Sequence, residues 1–358
     1  MAAASSKKKS PRKPRLPSRV SRAKAVGSLF VTALDFSDDE AALIFRRMLT
    51  IRRLDEALIR LTRKDGAPVP PAPGREAIAV AACSVLKPDD FVFSDEWRHG
   101  LIIARTGSVA AAVSEWLPPA RSEAHTNGAT PPPSTIPAPS TASAVLNGGM
   151  ALAIGAGLAS RLNRQTQAVL CFCTPNDLAK GSFHESLNLT TAWKLPIVYV
   201  FPEIETPRSS NRGRVLNQAQ HYGVEGVLVD GSNVSDVRMA VTAALNRARE
   251  SKGATLIEAA VPAAPKASKA LATGTAPSSD AAAEIKNMRD PLRIFRSLLT
   301  EASLMDDDAA ASLEREVAAE VKTALARLTE KSAAPARELL LKHVLKGWTE
   351  GKFGLMRS

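Results

Sequence analysis

Cysteine, aromatic side chains, histidine and long apolar runs are all scarce in this chain. Three cysteines in 358 residues do not build a disulfide framework. Cys171 and Cys173 alternate on an apolar run, so both face one side of a strand, and Cys83 stands alone in an Ala/Val helix. A lone C-x-C without further Cys or His at ligand spacing reads as core thiols in a reducing cytoplasm rather than as a metal centre. Aromatics are only 4% and alanine is abundant, which points to helix-rich packing with small side chains. No 18-residue apolar stretch is free of charges or turn residues, and no apolar leader core is present, so neither a membrane span nor secretion is expected. Internal repeats and a G-x-G-x-x-G phosphate loop are missing as well.

Acid is missing from residues 1–24, which hold nine Lys or Arg; without them the net charge of +11 falls to +2. Residues 1–34 therefore read as a disordered basic tail on a nearly neutral body. Such a tail suits nucleic acid or an acidic partner through charge alone, and its acid-poor, Arg/Ser-containing start also permits an organelle-matrix transit peptide.

In the body, Ser37-Asp38-Asp39-Glu40 has capping-box spacing before apolar positions Leu43 to Leu61 at helical intervals, with Gly66 as the stop. A proline-rich turn (67–73), a helix from Glu76 to about Leu86, a strand at Phe91–Phe93 and a helix from about Gly100 follow. Residues 117–143 are proline-rich and of low complexity, a mobile loop in which His125 is solvated. Order returns with a Gly-rich start to a small-residue helix. Next come a strand (Ala168–Cys173), a polar turn, a helix (about Gly181–Trp193) and a strand (Ile197–Phe201), one βαβ unit. Strands are also expected at Ala219–Val229 and Ala254–Val261, with a helix at 234–249 between them. A flexible linker (262–285) precedes a helical C-terminal region (286–358), with helices at 291–331 and 337–348. The run Asp306-Asp307-Asp308 suits a helix start better than a metal site. Alternating strands and helices imply an α/β fold, with a mainly parallel sheet covered on both faces.

The run GSFHESLNLTTAWKLPIVYV closely resembles the thiamine-diphosphate domain of the α subunit of 2-oxo acid dehydrogenase E1, of the pyruvate and branched-chain types. Further pieces match that family in order: Phe45-Arg46-Arg47-Met48 through Asp55-Glu56, Gly74-Arg75-Glu76-Ala77, Gly155-Ala156-Gly157, Gly223…Gly226…Val229-Asp230-Gly231, Leu256-Ile257-Glu258 and Asp290-Pro291. The likeness spans about residues 35–328. It implies a thiamine-diphosphate-binding fold over 35–261, thiamine diphosphate and Mg²⁺ as cofactors, and an E1 β-like partner in an α₂β₂ assembly. It also implies decarboxylation of a 2-oxo acid, with acyl transfer to a lipoyl E2 core. Gly155 and Gly157 would lie beside the cofactor, and Gly181 and Glu185 of the family's GxxxE motif would serve subunit contact.

Where the family carries its GDG…N magnesium motif, this chain reads Thr174-Pro175-Asn176-Asp177, and ungapped alignment sets Pro175 at the metal-binding Asp. Asn176 and Asp177 are the neighbours able to serve cofactor and metal in its place. The family's ENN loop falls at Pro202–Glu205. Its diphosphate-contacting Tyr-Arg falls at Glu96-Trp97, with Arg98 one residue late. No histidine lies between residues 222 and 342, where the family keeps one for acid–base work. The expectation is a family member with an impaired or lost cofactor site and a structural or regulatory role. The alternatives are an active, divergent decarboxylase subunit, or a non-enzymatic scaffold with a basic nucleic-acid-binding tail; self-association is a further expected contact.

Overall fold

A computed structural model describes residues 37–65, 74–94, 97–114, 148–205, 213–262 and 290–329. The tail, the 66–73 turn, the 117–143 loop, residues 263–285 of the linker and the helix expected at 337–348 lie outside these residues.

Helix α1 (Asp38–Asp65) begins as its sequence dictates, the Glu40 N–H donating to Ser37 Oγ at 3.3 Å. The other half of the expected capping box is absent. The Glu40 carboxylate instead accepts from Arg238 Nη1 at 2.6 Å, an ion pair in which both partners carry charge. Then follow α2 (Glu76–Ser84), β1 (Phe91–Ser94), α3 (Arg98–Thr106) and α4 (Val109–Ser114). The central unit is α5 (Gly148–Leu162), β2 (Val169–Phe172), a 3₁₀ turn (Pro175–Ala179), α6 (Gly181–Ala192) and β3 (Ile197–Glu205). After it come α7 (Arg214–His221), β4 (Glu225–Asp230), α8 (Val234–Arg249), β5 (Thr255–Pro262), α9 (Pro291–Glu301) and α10 (Asp307–Thr329).

Among the described residues the five strands are all parallel, in the order β1-β2-β3-β5-β4. Both faces are covered, and alternation along each strand sorts the core. Leu170, Phe172, Val198, Val200, Ile257 and Ala259 pack toward α1, α2, α3 and α8. Val169, Cys171, Cys173, Ile197, Tyr199, Phe201 and Leu256 pack toward α5, α6 and α7. Strands buried on both sides carry continuous apolar runs, which is why the sequence marks them so plainly.

Several expected boundaries move. Ala219 belongs to α7 rather than to a strand, because Gly223, at φ +69°, ends that helix before β4 begins at Glu225. The C-terminal helix is broken into α9 and α10, with Asp306 Oδ1 accepting from the Ala309 N–H at 2.7 Å as the cap its sequence suggests. Strand β3 continues through Pro202 to Glu205, paired with β5 up to Pro262, where a loop and the linker start were expected.

Four matched family positions form one buried knot. Arg52 Nε donates to Glu76 Oε1 at 2.5 Å and Arg52 Nη2 to Asp290 Oδ1 at 3.0 Å, while the Gly74 N–H donates to Glu76 Oε2 at 2.8 Å. Glu76 is fully buried, and burial pushes its carboxyl up against the opposing pull of Arg52. Burial alone would lower Arg52, but Glu76 and Asp290 more than offset it and hold the guanidinium charged. Asp290 also caps α9 through the Leu292 N–H at 3.1 Å. The knot joins α1, the start of α2 and the start of α9.

Candidate functional site

In a parallel α/β sheet, ligands collect at the C-terminal strand ends. Here β2 and β3 separate at that edge for a local reason. The Cys173 N–H donates to the Val200 carbonyl at 2.9 Å. The next rungs would need N–H groups from Pro202 and Pro175, and proline has none. Beyond Cys173 the chain folds into the 3₁₀ turn while β3 runs on beside β5.

The turn is closed on itself. Asp177 Oδ2 accepts from the Thr174 N–H at 2.6 Å and from Thr174 Oγ1 at 3.1 Å, and Asp177 Oδ1 accepts from Lys180 Nζ at 2.6 Å. Asp177 is 5% exposed, whereas Asn176 points to solvent. The candidate metal ligand is therefore committed to capping its own turn, with the Lys180 ammonium as its cation. Neither Lys180 nor this role of Thr174 was singled out from sequence, although Thr174-x-x-Asp177 has capping-box spacing and Lys180 follows at i+3.

Two acids lie at this edge, Glu203 where the family's amide loop falls and Glu258 at a matched family position. Glu203, on β3, is 8% exposed at this edge. Glu258, fully buried on β5, accepts from the Gly213 N–H at 2.6 Å and the Leu216 N–H at 3.3 Å, and so holds the start of α7.

Helix α3 starts at Arg98, two residues before the expected Gly100. Trp97, in the left-handed region at φ 54°, lies 5% exposed over its first turn. A Cβ on Gly100 would sit 2.5 Å from the indole, so only glycine admits this ring. Among the described residues Trp97 Nε1 is buried with no hydrogen-bond partner. Arg98 is half-buried as the first residue of α3.

The two glycines of Gly155-Ala156-Gly157 differ. A Cβ at Gly157 would meet Ile197 at 3.1 Å, so this glycine serves helix-on-sheet packing, while Gly155 is exposed with nothing within 4 Å. Gly181 and Glu185 are exposed on α6, which packs against α5. The structure thus places Asn176, Asp177, Gly181 and Glu185 on one turn-and-helix segment.

The model of the dehydrogenase E1 component family matches residues 46–337. The chain belongs to that family. Its likeness to the α subunit of acetoin:2,6-dichlorophenolindophenol oxidoreductase is 27% identity in Cupriavidus necator, over 85% of this chain and 92% of that protein. For the Bacillus subtilis protein of the same name it is 28%, over 63% of this chain and 70% of that one. It is 26% identical to the Bacillus subtilis 2-oxoisovalerate dehydrogenase subunit alpha, over 82% and 91%. Among solved structures, Campylobacter jejuni transketolase aligns with a TM-score of 0.44 at 15% identity, over 88% of this chain and 51% of that one.

Family members are thiamine-diphosphate-dependent, and E1 α homologues pair with a β subunit. The residues of this E1-family chain do not fit the Mg²⁺–diphosphate group. Magnesium demands near-octahedral oxygen ligands. Pro175 offers no side-chain oxygen, Asp177 is held by Thr174 and Lys180, and a carboxylate at Glu203 opposes a diphosphate. Among the described residues no cluster of three or more His, Cys, Asp or Glu side chains is placed to hold a metal, and no helix is long and apolar enough to cross a membrane.

Proposed function

We propose that this chain is an α-type subunit of an E1-like assembly that does not itself hold Mg²⁺–thiamine diphosphate, and that it acts structurally or as a regulator beside an E1 β-like partner. The observation that carries the reading is the Asp177–Lys180 pair at 2.6 Å, a protein cation where the family uses a metal. The frame of the family is retained around it: the Arg52–Glu76–Asp290 knot, the glycine contact of Gly157 and the capped α7. A frame kept while metal ligands are replaced suits a role in assembly, because fold and contacts outlast chemistry.

Gly181 and Glu185 are the proposed subunit-contact residues. Leu152, Leu162 and Trp193, 42%, 72% and 39% exposed, lie on or beside the same α5/α6 pair and support a face that a partner covers. Association with a lipoyl E2 core would come through that assembly. The test is calorimetric titration of thiamine diphosphate with Mg²⁺ into the chain, alone and with an E1 β-type subunit. Metal-dependent heat is expected to be absent for the chain alone. Micromolar binding by the chain with turnover of a 2-oxo acid would overturn the reading in favour of a divergent active subunit.

A further inference from the structure

Helices α5 and α6 end side by side at the N-terminal edge of the sheet, the edge opposite the candidate cofactor position. Strands β2 and β3 start there in register, Val169 opposite Ile197, and a Cβ on Gly157 of α5 would sit 3.4 Å from Leu195, just past α6. Both helices close in the same way. The Arg164 N–H donates to the Arg161 carbonyl at 3.1 Å and the Gln165 N–H to that of Ser160 at 2.8 Å. The Lys194 N–H donates to the Thr191 carbonyl at 3.2 Å and the Leu195 N–H to that of Thr190 at 3.0 Å. This paired closure sets one left-handed residue after each helix. Here those residues are Arg164 at φ 53° and Lys194 at φ 44°.

A cation at a helix C-terminus is accounted for by the dipole alone. The large apolar side chains beside these two are not, since Leu162 is 72% exposed and Trp193 39%. Arg161, Arg164 and Lys194 are exposed as well, and none has a side-chain hydrogen bond or ion pair among the described residues. Neither 159–167 nor 190–196 contains an acid.

We propose that this end of the α5/α6 face is the electrostatic anchor of the subunit contact, taking an acidic rim around an apolar pocket on the E1 β-type partner. The inference rests on the partner reading above and adds the chemistry of the surface that meets it. Arg161, Arg164 and Lys194 steer the approach, and Trp193 and Leu162 fill the pocket, the division of labour found at interfaces with Trp and Arg anchors. A second copy of this chain does not fit, because two-fold pairing of the patch would set cation against cation. The basic tail, with nine Lys or Arg and no acid in residues 1–24, is repelled for the same reason. A lipid surface takes the long apolar face of an amphipathic helix, whereas these two apolar side chains sit at helix ends.

The experiment measures association and dissociation of the full-length chain with a purified E1 β-type subunit, at about 0.02 M and about 0.5 M salt. Wild-type association should slow at least about tenfold at high salt. The triple variant Arg161→Glu, Arg164→Glu, Lys194→Glu should associate slowly at both salt levels, with dissociation nearly unchanged. Trp193→Ala should instead speed dissociation and keep the salt dependence. Arg315→Glu, exposed on α10, is the control and should follow the wild type. The corresponding triple Gln variant should fall between wild type and reversal, and it carries the test if the reversed chain does not fold. A rate indifferent to salt and to the triple reversal would overturn this proposal and leave the partner reading standing, whereas no wild-type complex would sink both. Wild-type binding to anionic vesicles that the triple variant loses would assign the patch to lipid and overturn the proposal too.

Discussion

Cys83 shows how far one residue's surroundings can move its chemistry. Burial pushes its thiol up to about 12, against the pull of Arg105 and Arg47. An unfolded thiol ionises near pH 8.5, so the folded state keeps a proton that the unfolded chain gives up. Its contribution to stability is complete below the ordinary thiol range. It is lost as pH rises toward 12, at about 1.4 kcal/mol per unit. Urea unfolding between pH 8 and 10.5 should therefore show falling stability, with a shallower slope in Cys83→Ala. An unchanged slope would assign the loss to other groups, with Tyr199, also raised by burial, the first to examine. At Arg52 burial acts on a charge pair. Arg52→Met would leave Glu76 buried without its cation and should cost about 3–5 kcal/mol in urea unfolding, with partial recovery on adding Glu76→Met. Each member of that knot was legible as a family match. Their meeting was not, because Arg52 and Asp290 are 238 residues apart and nothing local signals the pairing.

Among the elements, legibility followed burial. Strands β2 and the first half of β3 announce themselves as apolar runs because both faces are covered. The second half of β3 does not, since Pro202 reads as a breaker and its tolerance depends on where β2 ends. The turn between them is legible as polar, with Pro175 where the resemblance sets the family's Asp, but its closure by Lys180 depends on side-chain geometry that composition does not carry. Asp177→Ala should destabilise the fold by about 1–3 kcal/mol in thermal or urea unfolding, as loss of a cap and a charged hydrogen bond. Wild type and variant should both lack Mg²⁺-dependent heat; a signal in the wild type that the variant loses would make Asp177 a ligand after all. The glycines separate in the same way. Gly157→Ala presses a methyl on Ile197 and should cost about 1–3 kcal/mol, whereas Gly155→Ala, in open space within a helix, should gain about 0.5–1 kcal/mol. Paired melting curves of the two variants decide whether the motif serves packing at one glycine only.

At the level of the whole molecule the sheet has two dissimilar outer faces. Helices α1, α9 and α10 add a layer on one side, with Arg46 bonded to Glu316 and Glu320 across α1 and α10. On the other side α5 and α6 carry three of the five large apolar side chains most exposed among the described residues, counting Trp193 just past α6. Single exposures need no explanation, but three on or beside one helix pair suit a face that a partner covers. A co-expressed E1 β-type subunit should therefore co-purify with the wild type in a stable assembly. Leu152→Asp and Leu162→Asp should abolish that assembly while leaving the circular dichroism of the isolated chain unchanged, because neither side chain is buried in it. Met239→Asp is the matched control: Met239 is 67% exposed on α8, across the sheet from α5 and α6. Size-exclusion chromatography with light scattering reads all three. Equal loss in the Met239 variant would mean that added charge, rather than the α5/α6 face, breaks the complex, and the proposed subunit surface would fall with it.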